Sequence, residues 1–425
     1  MTDWLRTTVG QLCRIRHGFA FKGEHFVEDG DLMVLSPGNF LPGGGLQRRD
    51  GKETFYEGDF PPEFLLDEGD LLIAMTDLKQ DAPILGSTIR VPESNCYLHN
   101  QRLGLVTDVD ERVDSGFLYY LLNSDVVRSW LRATATGSTV RHTAPERIYA
   151  AEVRIPPFKE QVKIAASLEA LDHLLENNRR RVEIVEEMAR LIYREWFVHF
   201  RFPGHEDVEM VNSALGAIPD GWSVEPIGQV VDVVGGGTPS RKVEEYWNDG
   251  TIEWFTPSDL TKQSAMYAFG SADRISELGL RKSSAKLFPE RTVMMTSRAT
   301  IGEIAVATTP ATTNQGFISC VPNGRLSEYH LYFWLRANVD YFETLAGGAT
   351  FKELRKSTFR ELPVAVPQPE VEAAFNRTVG PLCDLVENLL RQTKVLREAR
   401  NLLLPRLVSG ELDVSELDLE FAEVG

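Results

Sequence analysis

The chain is poor in the residues that build metal and redox centres. Its four cysteines, Cys13, Cys96, Cys320 and Cys383, are scattered over 425 residues, with no CxxC pair and no nearby histidine pair. This argues for reduced thiols in a cytosol and against a metal site. The eight histidines also lack ligand spacing. No apolar run reaches the length of a membrane span, and Asp3 and Arg6 interrupt the start, where a secretion signal would be apolar. A cytoplasmic protein is expected. Basic charge is short as well: 45 Lys and Arg against 62 Asp and Glu leave a net charge of −17. Taken alone, this counts against nucleic-acid binding, because phosphate contacts need cations. It is not decisive, since a bound surface can be basic while the rest is acidic. Residues 411–425, with six acids and no base, inflate the total.

Catalytic signatures are missing too. Gly235-Gly236-Gly237-Thr238-Pro239-Ser240-Arg241-Lys242 is glycine-rich but does not match GxxxxGK[ST], and Pro239 removes an N–H that a phosphate cradle would use. No GxGxxG follows a strand. Ile155-Pro156-Pro157-Phe158 has the outline of the NPPF motif of amino-methyltransferases, yet Ile155 has no amide or carboxylate to hold a target amine. Pro145-Glu146 with Glu152-Val153-Arg154 lacks the lysine of a nuclease metal site. The chain reads as non-catalytic.

What is present begins with 158–200, which contains neither glycine nor proline. Ile164, Leu168, Leu171, Leu175, Asn178, Val182, Val185, Ala189, Ile192 and Trp196 follow one another in alternating steps of four and three. That is a heptad seam with one polar residue near its middle. A helix of this length, roughly 60 Å, needs a partner along its whole length. The chain supplies one. Adding 211 to each position gives Phe375, Val379, Leu382, Val386, Leu389, Thr393, Leu396, Arg400, Leu403 and Leu407, of which eight are apolar. The same offset takes Arg154-Ile155-Pro156 to Ala365-Val366-Pro367. Upstream, Val9-Gly10-Gln11-Leu12 resembles Ile227-Gly228-Gln229-Val230, and Asn100-Gln101 resembles Asn314-Gln315. The chain is a duplication.

The expected fold is α+β: two duplicated units of mixed helix and strand, joined by two long antiparallel coiled-coil helices and related by a pseudo-twofold. The expected segments are a first domain at 1–155, a first long helix at 156–201, a linker at 202–219, a second domain at 220–366, a second long helix at 367–410 and an acidic tail at 411–425. Strands are expected at 32–35, 71–74, 104–106, 151–155, 230–234, 252–255, 293–296, 304–307 and 362–366, with single helices at 117–132 and 331–342. Antiparallel pairing with matched ends brings together residues whose numbers sum to 571. Ile164 then meets Leu407, Trp196 meets Phe375, Arg400 lies near Asp172 or Glu169, and Asn178 faces Thr393 as a register marker. Such a rod would hold two binding surfaces apart, the logic by which DNA regulators read two half-sites.

Several motifs, in order, carry a family likeness. They are Ile155-Pro156-Pro157 with Glu160-Gln161, Leu191-Tyr193 with Trp196-Phe197, Ile218-Pro219-Asp220-Gly221-Trp222, Gly236-Gly237-Thr238-Pro239-Ser240, Tyr246-Trp247-Asn248-Asp249-Gly250, Thr313-Asn314-Gln315-Gly316 and Leu404-Pro405-Arg406-Leu407-Val408-Ser409-Gly410-Glu411. Together they resemble the specificity (S) subunits of type I restriction-modification systems over nearly the whole chain. In the first unit Arg16-His17-Gly18-Phe19-Ala20-Phe21-Lys22 stands in place of the GGTPS loop, and Pro367-Gln368-Pro369-Glu370 makes a less typical start to the second helix. The resemblance implies that each globular unit is a target-recognition domain for one half of a bipartite double-stranded DNA site. It implies that the helices space the halves and dock two methyltransferase (M) subunits, with a restriction (R) subunit completing the complex. The chain itself would carry no cofactor; S-adenosylmethionine, and ATP with Mg, would belong to the partner subunits. A methylation-only complex is the alternative, and a stand-alone nuclease or methyltransferase a remoter one.

DNA-contact candidates are polar and basic residues on loops at matching positions of the two copies. Arg141 and His142 lie in Gly-Ser-Thr-Val-Arg-His (137–142), and Thr350 and Lys352 in the matching Gly-Ala-Thr-Phe-Lys (348–352). Ser240, Arg241, Lys242 and Arg298 are further candidates in the second unit. Lys79 and Gln80, with Lys22 and Arg102, are their counterparts in the first.

Overall fold

The computed structural model describes residues 4–47, 51–348 and 352–415. The chain divides into two compact units, Met1–Leu175 with Leu396–Gly425, and Glu176–Val395. In the first unit a four-stranded antiparallel sheet is ordered Arg14–His17, Leu103–Thr107, Leu71–Ala74, Thr88–Arg90. Leu71–Ala74 is buried on both faces, which is why it reads as a continuous apolar run rather than an alternation. A second sheet is ordered Phe26–Val27, Phe55–Tyr56, Met33–Leu35, Tyr97–His99.

The second unit repeats the first sheet as Asp232–Gly235, Phe317–Val321, Val293–Arg298, Thr300–Ala307, with Tyr267–Ala268 added at the edge. A smaller sheet is ordered Asp273–Ile275, Ile252–Phe255, Ala311–Thr313. In each unit a strand near the start of the domain pairs with the strand before the long helix, Leu5 with Ile155 and Ser223 with Val366.

The long helices are Phe158–Tyr193, continued by a π-helical turn at Arg194–Val198, and Pro369–Ser409. Pro157 precedes the first and its carbonyl accepts the Glu160 and Gln161 amides at 2.9 and 3.1 Å. The second opens with Pro369 at the first helical position and stops at Gly410, whose φ of +77° favours a residue without a side chain. None of the seam residues named from the heptad pattern is exposed. In the first unit Ile164 and Leu168 share a core with Leu407 and Val408. In the second, Val182, Val185, Ala189 and Trp196 share one with Phe375, Val379 and Val386. Within each unit the two helix segments therefore run antiparallel. The Trp196 and Phe375 rings are 5.9 Å apart, and Arg400 donates to Asp172 at 2.5 Å.

Four local expectations change. The helices expected at 117–132 and 331–342 are each two: Ser115–Asn123 and Asp125–Thr134, then Glu328–Ala337 and Val339–Leu345. Ser124 donates to the Leu121 carbonyl at 2.6 Å, and Asn338 to the Trp334 carbonyl at 2.8 Å. Short polar side chains of this kind divert the backbone from continuing a helix. The strand expected at 230–234 starts later, because Ile227–Val230 is a helical turn anchored by the Ile227 amide on the Leu362 carbonyl at 2.8 Å. The segment 202–219 contains a hairpin, Met210–Ser213 against Gly216–Pro219, with Phe202 and Ile218 in the core. Finally, Asn178 and Thr393 are both buried, but the amide of Asn178 points to Gln392 Oε1 at 3.5 Å. The Thr393 hydroxyl satisfies itself on the Leu389 carbonyl of its own helix, at 2.8 Å. Threonine is short enough to do this, and glutamine is long enough to reach across.

Candidate nucleic-acid interface

Strand direction gathers the basic loops at one end of each main sheet. In the first unit the central strand Leu103–Thr107 starts there, after the turn Asn100–Arg102. Its antiparallel neighbours Arg14–His17 and Leu71–Ala74 end there. The 136–142 loop joins them through the pairing of Arg141 with Asp77 and of His142 with Thr76. In the second unit the central strand Phe317–Val321 starts after Asn314–Gly316, and Asp232–Gly235 and Val293–Arg298 end beside it. The 347–353 loop joins through the bridge between Arg298 and Glu353 and the Leu354 amide on the Ser297 carbonyl.

The central turn is built the same way in both. The Asn100 carboxamide accepts the Arg102 amide at 2.9 Å, and that of Asn314 accepts the Gly316 amide at 2.8 Å. A Cβ on Gly18 would lie 2.2 Å from the Asn100 carbonyl oxygen, and one on Gly236 would lie 2.0 Å from that of Asn314. The first unit thus meets the same close approach with an unrelated loop sequence. Beneath the first turn, burial pushes the His99 imidazole down to about 4, so its Nε2–H donates to the Leu103 carbonyl at 3.0 Å.

The candidate residues have different commitments. Arg141 donates through Nη2 to the carbonyls of Arg132 (2.9 Å) and Ala135 (3.4 Å), closing the end of helix Asp125–Thr134. Its first task is to hold the fold. His142 is exposed, with its ring Nδ1 3.1 Å from the Thr76 hydroxyl. Lys79 and Gln80 are exposed on a loop whose ends are gripped by buried Asp77, whose carboxylate accepts the Lys79 and Ile84 amides at 2.9 and 2.7 Å. Lys22 and Arg102 are exposed.

In the second unit Arg298 and Lys352 are exposed, and the Lys352 carbonyl accepts the Ala299 amide at 3.0 Å. Thr350 lies outside the described residues. Ser240 and Lys242 are exposed. Arg241 stacks over Trp247 at 3.6 Å and donates to Asp273 at 2.5 Å, which makes it a rigid cation with part of its charge already met. Sequence reasoning left out Gln101 and Gln315, which sit at the two turn tips although the Asn-Gln repeat was visible. Gln315 accepts the Thr238 hydroxyl at 2.6 Å. It also left out Arg16, Lys286 and Lys356, which no shared motif marks.

The two units are thus alike in collecting polar and basic loops at one end of the main sheet. The family model described as type I restriction modification DNA specificity domain matches residues 1–187 and 219–374. The chain belongs to that family. It is 37% identical over 205 residues to the type I restriction enzyme MjaIX specificity subunit of Methanocaldococcus jannaschii, a match covering 48% of this chain and 46% of that protein. It is 22% identical to the type I restriction enzyme HindI specificity subunit of Haemophilus influenzae, over 97% of this chain and all of the relative. The crystal structure of the type I restriction-modification S subunit from M. genitalium shares the fold, with a TM-score of 0.62, 16% identity and 96% of each chain covered. Among the described residues no helix is long and apolar enough to cross a membrane.

Proposed function

We propose that this chain is the specificity subunit of a type I restriction-modification complex, and that its two domains, 1–155 and 220–366, each read one half of a bipartite double-stranded DNA target. The chain performs no catalysis. It presents the DNA to two methyltransferase subunits and a restriction subunit in the cytoplasm. S-adenosylmethionine, and ATP with Mg, act on those partners. The observation that carries this reading is the matched sheet end of the two units, with the same asparagine turn flanked by exposed Lys79 and Arg102 in one and by Arg298 and Lys352 in the other. Base edges are read by side chains on such loops, while nearby cations hold the phosphates.

Methylome sequencing of cells with and without the gene tests it. Loss of one two-part methylated motif is expected. An unchanged methylome would overturn the reading.

A further inference from the structure

In the second unit, strand Asp232–Gly235 forms one edge of the main sheet and leads into the glycine-rich loop. Two other segments close on that edge. The Ser284 hydroxyl lies 2.2 Å from where a Cβ on Gly237 would be, and Lys356 Nζ 3.1 Å from one on Gly235. Arg360 secures the arrangement by donating to the Val233 carbonyl at 2.8 Å. The result is an open cleft of about 380 Å³, walled by the 233–236 backbone, Ser284, Lys286 and Lys356. Both lysines are exposed. Neither forms an ion pair among the described residues, whereas Arg241, Arg274 and Arg291 of the same unit are each held by an acid.

Two ammonium groups lining one cleft, neither paired with an acid, make it locally positive and so favour an anion there. Gly235 lets Lys356 lie close against the strand edge, and the cleft is open rather than enclosed, which suits a chain passing through more than a trapped ion. At the matching edge of the first unit the cation comes from elsewhere. Arg16 stands opposite Leu105 where Val234 stands opposite Ser319, and Pro145 takes the place of Lys356 in the repeat. Arg16 is exposed and, among the described residues, donates to the Glu63 carbonyl at 2.8 Å and forms no ion pair, with the Asp70 carboxyl near enough to feel its charge. The same edge is therefore basic in both units, through residues that do not correspond.

We propose that Lys286 and Lys356 hold a phosphodiester of duplex DNA in this cleft, and that Arg16 does so at the equivalent edge of the first unit. The proposal rests on the reading of the chain as a DNA-binding subunit and assigns these residues to positioning rather than to base readout. The test uses the full chain, in the complex it copurifies with, and labelled duplexes of several unrelated sequences, with binding measured across a salt series. The double variant Lys286→Ala/Lys356→Ala is expected to weaken binding to every duplex alike and to lower the salt slope by about 1 to 2, and Arg16→Ala to lower it by about 1. Lys286→Arg/Lys356→Arg should keep the slope, as should Lys394→Ala on the second long helix. Unchanged thermal unfolding confirms that the variants fold, since all these side chains are exposed. An unchanged slope with normal binding by the parent overturns the cleft assignment alone. Selective loss on some sequences also overturns it, because base readers behave that way. A parent that binds no duplex at any salt concentration overturns the DNA-binding reading and this proposal with it.

Discussion

The two units reproduce one another's backbone more faithfully than one another's chemistry. Arg14 faces Thr107 and His17 faces Gly104 in the first; Asp232 faces Val321 and Gly235 faces Ile318 in the second. Behind that shared register the side chains trade roles. The edge strand is pinned in the first unit by the Tyr149 hydroxyl, which accepts the Ile15 amide at 2.9 Å. In the second it is pinned by Arg360 on Val233, and Arg360 is Tyr149 moved on by 211. The joint between domain and long helix is made by Gln161, which accepts the Asp114 amide at 2.9 Å, and by Glu372, which accepts the Ser327 amide at 2.8 Å. A duplicated fold thus preserves which backbone groups must be satisfied, and leaves open what satisfies them.

The sharpest contrast lies in the helix seam. In the first unit Tyr120 donates to Asp172 at 2.8 Å, and Asp172 also accepts from Arg400 at 2.5 Å. At the equivalent positions, taking Tyr120 by the 213-residue offset between the caps Asp114 and Ser327 and the seam by 211, the second unit has Phe333, Cys383 and Ala189, all buried. Its seam instead ends in an aromatic cluster, with Phe375 fully buried, 4.8 Å from the Phe197 ring and 6.1 Å from that of His330. The largest expected effect is therefore Phe375→Ala, at about 3–5 kcal/mol. Ile164, at the matching position, is a smaller side chain than Phe375, and Ile164→Ala should cost less within the roughly 2–5 kcal/mol range of such truncations. Hydrogen exchange reads each unit separately. Loss of protection confined to 369–395 in the Phe375 variant is expected, and equal loss in both units would break the contrast.

Next comes the polar trio. Asp172→Ala leaves Arg400 half-buried without its acid and should cost about 3 kcal/mol. Transplanting the second unit's solution, Tyr120→Phe with Asp172→Cys and Arg400→Ala, should cost far less than the single change, because no polar group is then stranded. Denaturant unfolding of the two variants decides it. A trio variant as unstable as Asp172→Ala would show that the two seams are not interchangeable.

A smaller effect separates the two joints by pH. Burial alone would raise the Glu372 pKa, but the His330 imidazole and hydrogen bonds from His330 and the Ser327 amide outweigh it and hold it below the usual carboxylate range. A carboxylate whose folded pKa is depressed stabilises the fold above its unfolded pKa. That stability is lost as the pH falls through the folded value. Gln161 cannot titrate. Glu372→Gln should therefore cost about 1–3 kcal/mol at neutral pH and flatten the loss of stability below about pH 4. Unfolding midpoints across a pH series, read in each unit, measure this, and an unaltered acid limb would remove Glu372 from the account.

These contrasts also show what was legible in advance. The seam, the duplication and the antiparallel ends follow from apolar spacing, which packing must obey over many residues, so Ile164, Trp196, Phe375 and Leu407 fall where the heptads put them. Helix breaks at Ser124 and Asn338 turn on single hydrogen bonds and left no periodic trace. Family motifs placed residues 16–22 where the second unit has its glycine-rich loop, but not the close approach to an asparagine carbonyl that Gly18 and Gly236 share, since two unrelated loops reach one geometry. Lys286 and Lys356 were illegible for the same reason: their meeting at the strand edge comes from tertiary folding, and nothing local to either residue signals it. Arg141 was chosen for its loop and charge, yet the structure spends much of its guanidinium on helix carbonyls.

The smallest effect concerns that arginine and its counterpart, Lys352, at the same repeat position. Lys352 is exposed, with only its carbonyl engaged in the fold, so Lys352→Ala should leave the second unit's stability unchanged and lower the salt slope of DNA binding by about 1. Arg141→Ala removes the group that caps Asp125–Thr134 and should cost the first unit about 1 kcal/mol, because the Arg132 and Ala135 carbonyls lose a charged donor. Any change in its salt slope should be smaller than for Lys352. Paired thermal unfolding and salt titrations separate the two, and a slope that falls equally in both variants would mean that Arg141 leaves its helix to meet the DNA.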